Sequence, residues 1–305
     1  LGRRTLTFRV RICVIFNPAA RGNKARHFRR HLDDIGGKSA LKATAAPGDA
    51  RRLAAEAVAE KFDVIVAAGG DGTVNEVLNG IGDAPDGFAR AALAVLPLGT
   101  VNVFARELKI PGDIAGAWQV VQQGRESKID LPAAEFAKEG VQKKYYFAQM
   151  GGAGLDARAI ELVDFSVKKK IGPLAYVLAG LKALKEKKPV IKVSAAGQAA
   201  SGELVLVGNG RLYGGTFRIF PEAEMRDGLL EICVFPKTDW LTLLRSGPAL
   251  LALGRLPRGQ ATCLRSARFE LSSETPAAFE LDGEWVGHLP AVFSIEREKL
   301  RMIVP

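Results

Sequence analysis

The tetrapeptide Gly-Thr-Val-Asn occurs twice, in VIVAAGGDGTVNEVLNGI (72–75) and in LAVLPLGTVNVFARELKIP (99–102), each time directly after an apolar run. An apolar run that stops at glycine and resumes with helical periodicity is a strand-to-helix turn. Two such turns within thirty residues belong to a chain that alternates strand and helix. The same alternation extends through FRVRICVIF, KARHFRRHLDDI, SALKATA, GDARRLAAEAVAEK, FDVIVAAGG, ARAALAVLP and IAGAWQVVQQG. Strand, helix, strand in this order demands parallel pairing with right-handed crossovers. Residues 1–130 are therefore expected to form an α/β domain around an open parallel sheet.

After KIDLP the texture changes to β-type runs such as KKYYFAQMG, PVIKVSAAG, GELVLVGNG, GLLEICVFP, SARFELSS and AVFSIER, separated by Gly, Pro and Asn turns. This predicts a second domain over residues 131–296, a mostly antiparallel β-sandwich. Helical patterns interrupt it near 171–187 and 239–254.

Composition narrows the function. A chain of 305 residues with 48% hydrophobic and 25% charged residues has ample core. Cys13, Cys233 and Cys263 are odd in number and widely separated, without a CxxC pair. A reducing cytoplasm is expected, and LGRRTLTFRVRI lacks the apolar run of a signal peptide. The formal charge of +10 favours an anionic partner: nucleotide, nucleic acid or acidic headgroup. With 7% aromatic residues and no nucleic-acid-binding signature, nucleic acid is set aside. No apolar stretch reaches the roughly 18–20 residues that span a bilayer.

The first Gly-Thr loop carries Gly69, Gly70 and Gly72 before an amphipathic pattern. Glycines let backbone amides approach a ligand, and a helix N-terminus offers unpaired N–H groups to phosphate. The loop fits neither GxxxxGK[ST] nor GxGxxG. Thr73 with Glu76 also reads as a capping box, so the segment can be a plain helix start. Asp71, a carboxylate among glycines, argues for a ligand, because beside triphosphate it can hold Mg2+ directly or through water. The second loop has Val103 where the first has Glu76, so no capping box accounts for Thr100. In VIFNPAARGNKA, Asn17 ends the first apolar run with Arg21, Gly22 and Lys24 behind it; an Asn-Pro turn is also a common structural device.

These residues, with NPAARG, GGDGTVNEV, LPLGTVNVFA, GLDA (154–157), GGTFRIFPEAEMRDGLLEI and FELDGE, resemble the diacylglycerol kinase catalytic family, in particular its bacterial soluble lipid kinases, which are similar to sphingosine kinases. NAD kinases share GGDGT, but VNEV, DGLLEI and LDGE favour the lipid-kinase branch. The resemblance implies an NAD-kinase-like first domain, with a last strand of about 297–305 returning to it. It implies ATP held between the domains by Asn17, Thr44, the loop Gly70, Asp71, Gly72, Thr73, Val74, Asn75 and Glu76, and Thr100. It also implies a lipid hydroxyl as acceptor and Glu284 as the base that takes its proton. Asp282 is the other candidate base, because strand alternation places it on the same side as Glu284 if the strand runs on through Gly283. A plain Asp-Gly hairpin turn is the bland alternative. By the same resemblance, the Asp227 carboxylate and the carbonyls of Glu224 and Leu229 bind a structural Mg2+. A homodimer is plausible on this ground alone. Val103 departs from a family pattern with an acid at that place, which keeps open a non-catalytic nucleotide- and lipid-binding protein, beside NAD-kinase-like phosphorylation of a soluble substrate.

The stretch 167–189 holds lysines at 168, 169, 170, 182, 185, 187 and 188 around an apolar run. It suits peripheral contact with an anionic inner membrane face, or packing on the sandwich with its lysines in water. Lys24, Arg26, Arg29 and Arg30 read as a solvated basic face, and His288 as structural.

Overall fold

The computed structural model describes residues 10–18, 23–162, 182–183, 186–239, 252, 254 and 259–305. The chain divides into two compact units, one of residues 1–100, 108–127 and 300–305, the other of residues 101–107 and 128–299.

The first unit runs β1 (Ile12–Phe16), α1 (Asn23–Arg30), α2 (Leu32–Gly36), β2 (Ala40–Ala43), α3 (Asp49–Ala59), β3 (Val64–Gly69), α4 (Asp71–Asp83), α5 (Gly87–Arg90), β4 (Ala92–Pro97) and, after α6 (Val103–Glu107) of the second unit, α7 (Ile114–Gln123). Its strands lie in the order β2-β1-β3-β4, all parallel. VIVAAG and ALAVLP, the whole of β3 and β4, are buried at every position. Parallel strands covered on both faces read as continuous apolar runs for this reason.

Helices α3 and α4 pack side by side, and small residues set how closely. A Cβ on Gly80 would lie 2.1 Å from the Arg51 carbonyl oxygen and 2.8 Å from Ala54 Cβ. Gly80→Ala must therefore push the helices apart, with an expected loss of about 2–3 kcal/mol. Thermal unfolding checks this, and an unchanged Tm would contradict so close a crossing.

The second unit continues with β5 (Arg125–Lys138, entering from the first unit), β6 (Val141–Tyr146), β7 (Met150–Gly154), α8 (Leu155–Glu161), β8 (Ile191–Ala195), β9 (Gln198–Gly202), β10 (Leu204–Gly208), β11 (Leu212–Tyr213), β12 (Phe217–Arg218), β13 (Leu230–Phe235), β14 (Thr262–Ser266), β15 (Arg268–Ser273), β16 (Ala278–Leu281), β17 (Glu284–His288) and β18 (Ala291–Val304). One layer is a six-stranded sheet ordered β14-β13-β10-β7-β16-β17. The other contains β18, β15, β8 and β9, with β5 pairing β18 and β6. The β15–β18, β15–β8, β5–β6 and β8–β9 pairs are antiparallel, and the six-stranded layer is antiparallel as well. Phe136, Phe147, Phe269, Phe279 and Phe293 fill the space between the layers, with Phe136 and Phe279 meeting edge to face at 4.9 Å. The α/β domain and the antiparallel sandwich are both as expected. Residues 300–305 return to the first unit, where Met302 pairs with Leu93 of β4 in parallel.

Most of the helical patterns at 171–187 and 239–254 lie outside the described residues, as do Arg21, Gly22 and four of the lysines of 167–189. Among the described residues no helix is long and apolar enough to cross a membrane.

Candidate functional site

In the first unit the strand order reverses at β1, with β2 on one side and β3 on the other. Ligands of open parallel sheets bind beyond the carboxyl ends of the strands, at such a reversal. Asn17 follows β1, Thr44 follows β2, Gly70 follows β3, and Gly99 and Thr100 follow β4 shortly after Pro97. The register pairs Phe16 with both Ala43 and Ala68, and Gly69 with Pro97. All the expected nucleotide loops thus leave one edge of one sheet.

The two Gly-Thr loops are bound to each other. Leu98 and Gly99 donate their N–H groups to the Gly69 carbonyl at 2.9 and 3.3 Å, and a Cβ on Gly70 would lie 3.3 Å from Gly99 Cα. Helix α4 begins at Asp71, and Gly70, its N-cap, offers no capping side chain. Its first intrahelical bond in the loop, from Val74 N–H to the Gly70 carbonyl, is 3.1 Å long, so the amides of Asp71, Gly72 and Thr73 precede the helical ladder. N–H groups so placed and the dipole of a thirteen-residue helix are the features that can attract phosphate oxygens.

The capping box is not formed. The helix starts two residues before Thr73, whose side chain instead fills the space beside Gly69, 2.2 Å from where a Cβ there would stand. Glu76 turns away to α3: its carboxylate accepts from Gly48 N–H and Ala50 N–H, both at 3.0 Å. It caps the neighbouring helix, satisfying amides that would otherwise be orphaned. Asp49 fastens the same turn by accepting from Ala45 and Ala46 N–H at 2.7 and 3.1 Å. Val103, at the start of α6, is buried, so its position in this chain is a core position.

In the second unit the strand does not continue through Gly283. Asp282 (φ 50°) and Gly283 (φ 83°) make a two-residue turn between β16 and β17 that pairs Leu281 with Glu284. Both central residues have positive φ, the geometry that favours Asp-Gly. The two acids therefore part. Asp282 is buried, and its carboxylate accepts the N–H groups of Ala148, Gln149 and Met150 at 2.7, 2.9 and 3.1 Å, whereas Glu284 is exposed. The expectation that both acids lie on one side is corrected: Asp282 holds the loop before β7, and Glu284 is the carboxylate presented to solvent.

The proposed structural cation site is closed by protein groups. Asp227 pairs with Arg265 and accepts the Leu229 N–H at 2.9 Å. The Glu224 carbonyl accepts from Arg226 N–H at 2.8 Å, and the Glu224 carboxylate lies 3.5 Å from Arg211. A guanidinium on the principal ligand fits a divalent cation poorly, so no step is derived through an ion there.

Two residues of this unit escaped the reading of the sequence. Glu280, fully buried, accepts the Gly283 N–H at 2.6 Å, and Tyr213 donates its hydroxyl to Asp156 of the GLDA stretch. Burial first, then the nearby carboxylates of Asp156, Asp282 and Glu284, push the Glu280 carboxyl well above its usual range. Glu280 left no signal of its own in an apolar strand. The cysteines are also closer than their spacing implied: Cys233 and Cys263 are register partners on β13 and β14, with sulfurs 3.0 Å apart.

Comparison with known families and proteins agrees with this architecture. Residues 11–134 match the diacylglycerol kinase catalytic domain, and residues 150–304 match the YegS C-terminal NAD kinase beta sandwich-like domain. A diacylglycerol kinase of Staphylococcus aureus (strain bovine RF122 / ET3-1) is 32% identical over 301 residues, covering 95% of this chain and 91% of that protein. The chain belongs to the diacylglycerol kinase family. The same enzyme from S. aureus strain JH9 is 33% identical over 301 residues, covering 95% of this kinase and 91% of that protein. A crystal structure of a diacylglycerol kinase from Bacillus anthracis str. Sterne superposes with a TM-score of 0.75 at 24% identity, covering 97% of each chain, which speaks to the fold alone. The kinase therefore carries its catalytic-family loops in the first unit and its DGE turn in the second.

Proposed function

We propose that this kinase transfers the terminal phosphoryl group of ATP to the hydroxyl of a diacylglycerol or closely related lipid. The observation that carries the reading is the separation of the two acids at the β16–β17 turn, one anchored by three backbone amides and the other exposed. A lipid hydroxyl is a weak nucleophile, and a carboxylate on a rigid turn can accept its proton as the bond to phosphorus forms. Glu284 is that group. The amides of Asp71, Gly72 and Thr73 orient the phosphates, and Thr44, Asn17 and Thr100 complete the nucleotide contacts. Mg2+, when bound with the nucleotide, would draw charge from the phosphate oxygens, and Asp71, in the first turn of α4, would be the carboxylate that holds it.

Labelled ATP offered with diacylglycerol, a sphingoid base, phosphatidylglycerol and NAD tests the assignment. Product with diacylglycerol that is lost on magnesium removal supports it. Product with NAD alone would move the enzyme to soluble substrates, and no product with any acceptor would leave a binding protein.

Thr100 is exposed, with no helix-capping role visible at its place before α6. Thr100→Ala is expected to raise the KM for ATP about 3- to 10-fold, the worth of one hydrogen bond. Tm should stay put, as for other surface substitutions. An unchanged KM would remove Thr100 from the nucleotide site.

A further inference from the structure

Glu280 is the most demanding side chain in the second unit. It sits on β16 opposite Gly152 of β7 and is 0% exposed. One carboxyl oxygen, Oε2, accepts the Gly283 N–H at 2.6 Å. The other, Oε1, has no hydrogen-bond partner among the described residues. Oε1 looks over Gly152: a Cβ there would stand 3.1 Å from it and 3.5 Å from Asp156 Oδ2. The strand pairing is irregular at the same place, shifting register between Phe279 and Glu280. A bulge next to a turn is a device for re-aiming a side chain.

We propose that Glu280 is a positioning residue for the phosphoryl-transfer reaction: by holding Gly283 from inside the sheet it fixes the direction in which Glu284 leaves the turn. The inference rests on the reading of Glu284 as the base. The charge state of Glu280 follows from its surroundings. The groups that face it are the carboxyls of Asp156 on α8, of Asp282 in the turn and of Glu284 on β17, together with the Tyr213 phenol on β11. Each nearby carboxylate disfavours another negative charge, and burial removes the water that would stabilise it. The group is a neutral carboxylic acid, with its proton on the unpaired Oε1 and its carbonyl oxygen accepting from Gly283. A neutral acid anchors the turn without adding a second anion beside the base. An ionised one would repel Glu284 and cost far more to bury.

The matched substitutions are Glu280→Gln, which keeps an acceptor for Gly283 and the neutral state, and Glu280→Leu, which fills the space without an acceptor. Glu280→Gln is expected to keep kcat within about twofold, with the acid limb of its pH profile unmoved. Glu280→Leu is expected to lower kcat roughly 10- to 100-fold while the KM for ATP stays within twofold, the pattern of lost transition-state geometry. An infrared difference between wild type and Glu280→Gln should show the carbonyl stretch of a protonated carboxylic acid, a readout independent of activity that stands even where the leucine variant does not fold. A tenfold loss of kcat in Glu280→Gln, a shift of its acid limb by a pH unit, or a carboxylate band in place of the acid band would overturn the neutral anchor. Wild-type kcat in Glu280→Leu would overturn positioning. Glu284→Gln, run alongside, separates the two readings: if it stays active the base assignment fails, while the infrared band still reports on Glu280.

Discussion

Glu284→Gln is expected to lower kcat with diacylglycerol about 10²- to 10⁴-fold, the range of a general base, and to leave the fold intact. The reasons for both halves are local. Glu284 is exposed at the first position of β17, and the turn before it is made by Asp282 and Gly283, whose bonds run to the backbone of 148–150 and to Glu280. Glutamine keeps the size and removes the proton acceptor. The loss should fall on kcat, with the KM for ATP nearly constant, since the nucleotide loops belong to the first unit. Steady-state kinetics beside a thermal melt checks it. Activity within threefold of wild type at an unchanged Tm would sink Glu284 as the base.

Asp282→Ala should behave in the opposite way, acting first on stability. It strands three N–H groups, those of Ala148, Gln149 and Met150, in a buried region. At about 1–3 kcal/mol for each buried unsatisfied group, less what local relaxation recovers, a loss of about 3–5 kcal/mol is expected. Few single substitutions cost more. A fall in Tm of roughly 6–20 °C follows for a domain of this size. Asp282→Asn should land between the two, because an amide offers one acceptor oxygen where the carboxylate uses both, Oδ1 for Gln149 and Met150 and Oδ2 for Ala148. If Asp282→Ala melts like wild type but is inactive, the roles of the two acids have been read the wrong way round.

This pair also shows where reading the chain succeeded and where it stopped. FELDGE made both acids candidates, because alternation along an uninterrupted strand puts residues 282 and 284 on one face. The bland alternative, an Asp-Gly turn, is what the chain adopts, and it is the turn that separates them. Glu76 teaches the same lesson. Three residues after Thr73 it has capping-box spacing, yet its partners are Gly48 and Ala50, 28 and 26 residues earlier. Helix α4 starts early because Gly70 already satisfies the extended geometry of an N-cap, and α3, packed against α4, lies within reach of the freed carboxylate.

The sequence by itself determined the order of strands and helices, the parallel and antiparallel halves, and the placing of both Gly-Thr turns after buried strands. These rest on local periodicity and glycine spacing, which persist whatever the distant chain does. Only the tertiary structure decided which acid is buried and which is presented, that Glu76 serves another helix, that Glu280 lies buried behind the Asp-Gly turn, and that Cys233 meets Cys263. Each of those depends on a partner many residues away, and a side chain's protonation and direction are set by what surrounds it rather than by its neighbours in sequence.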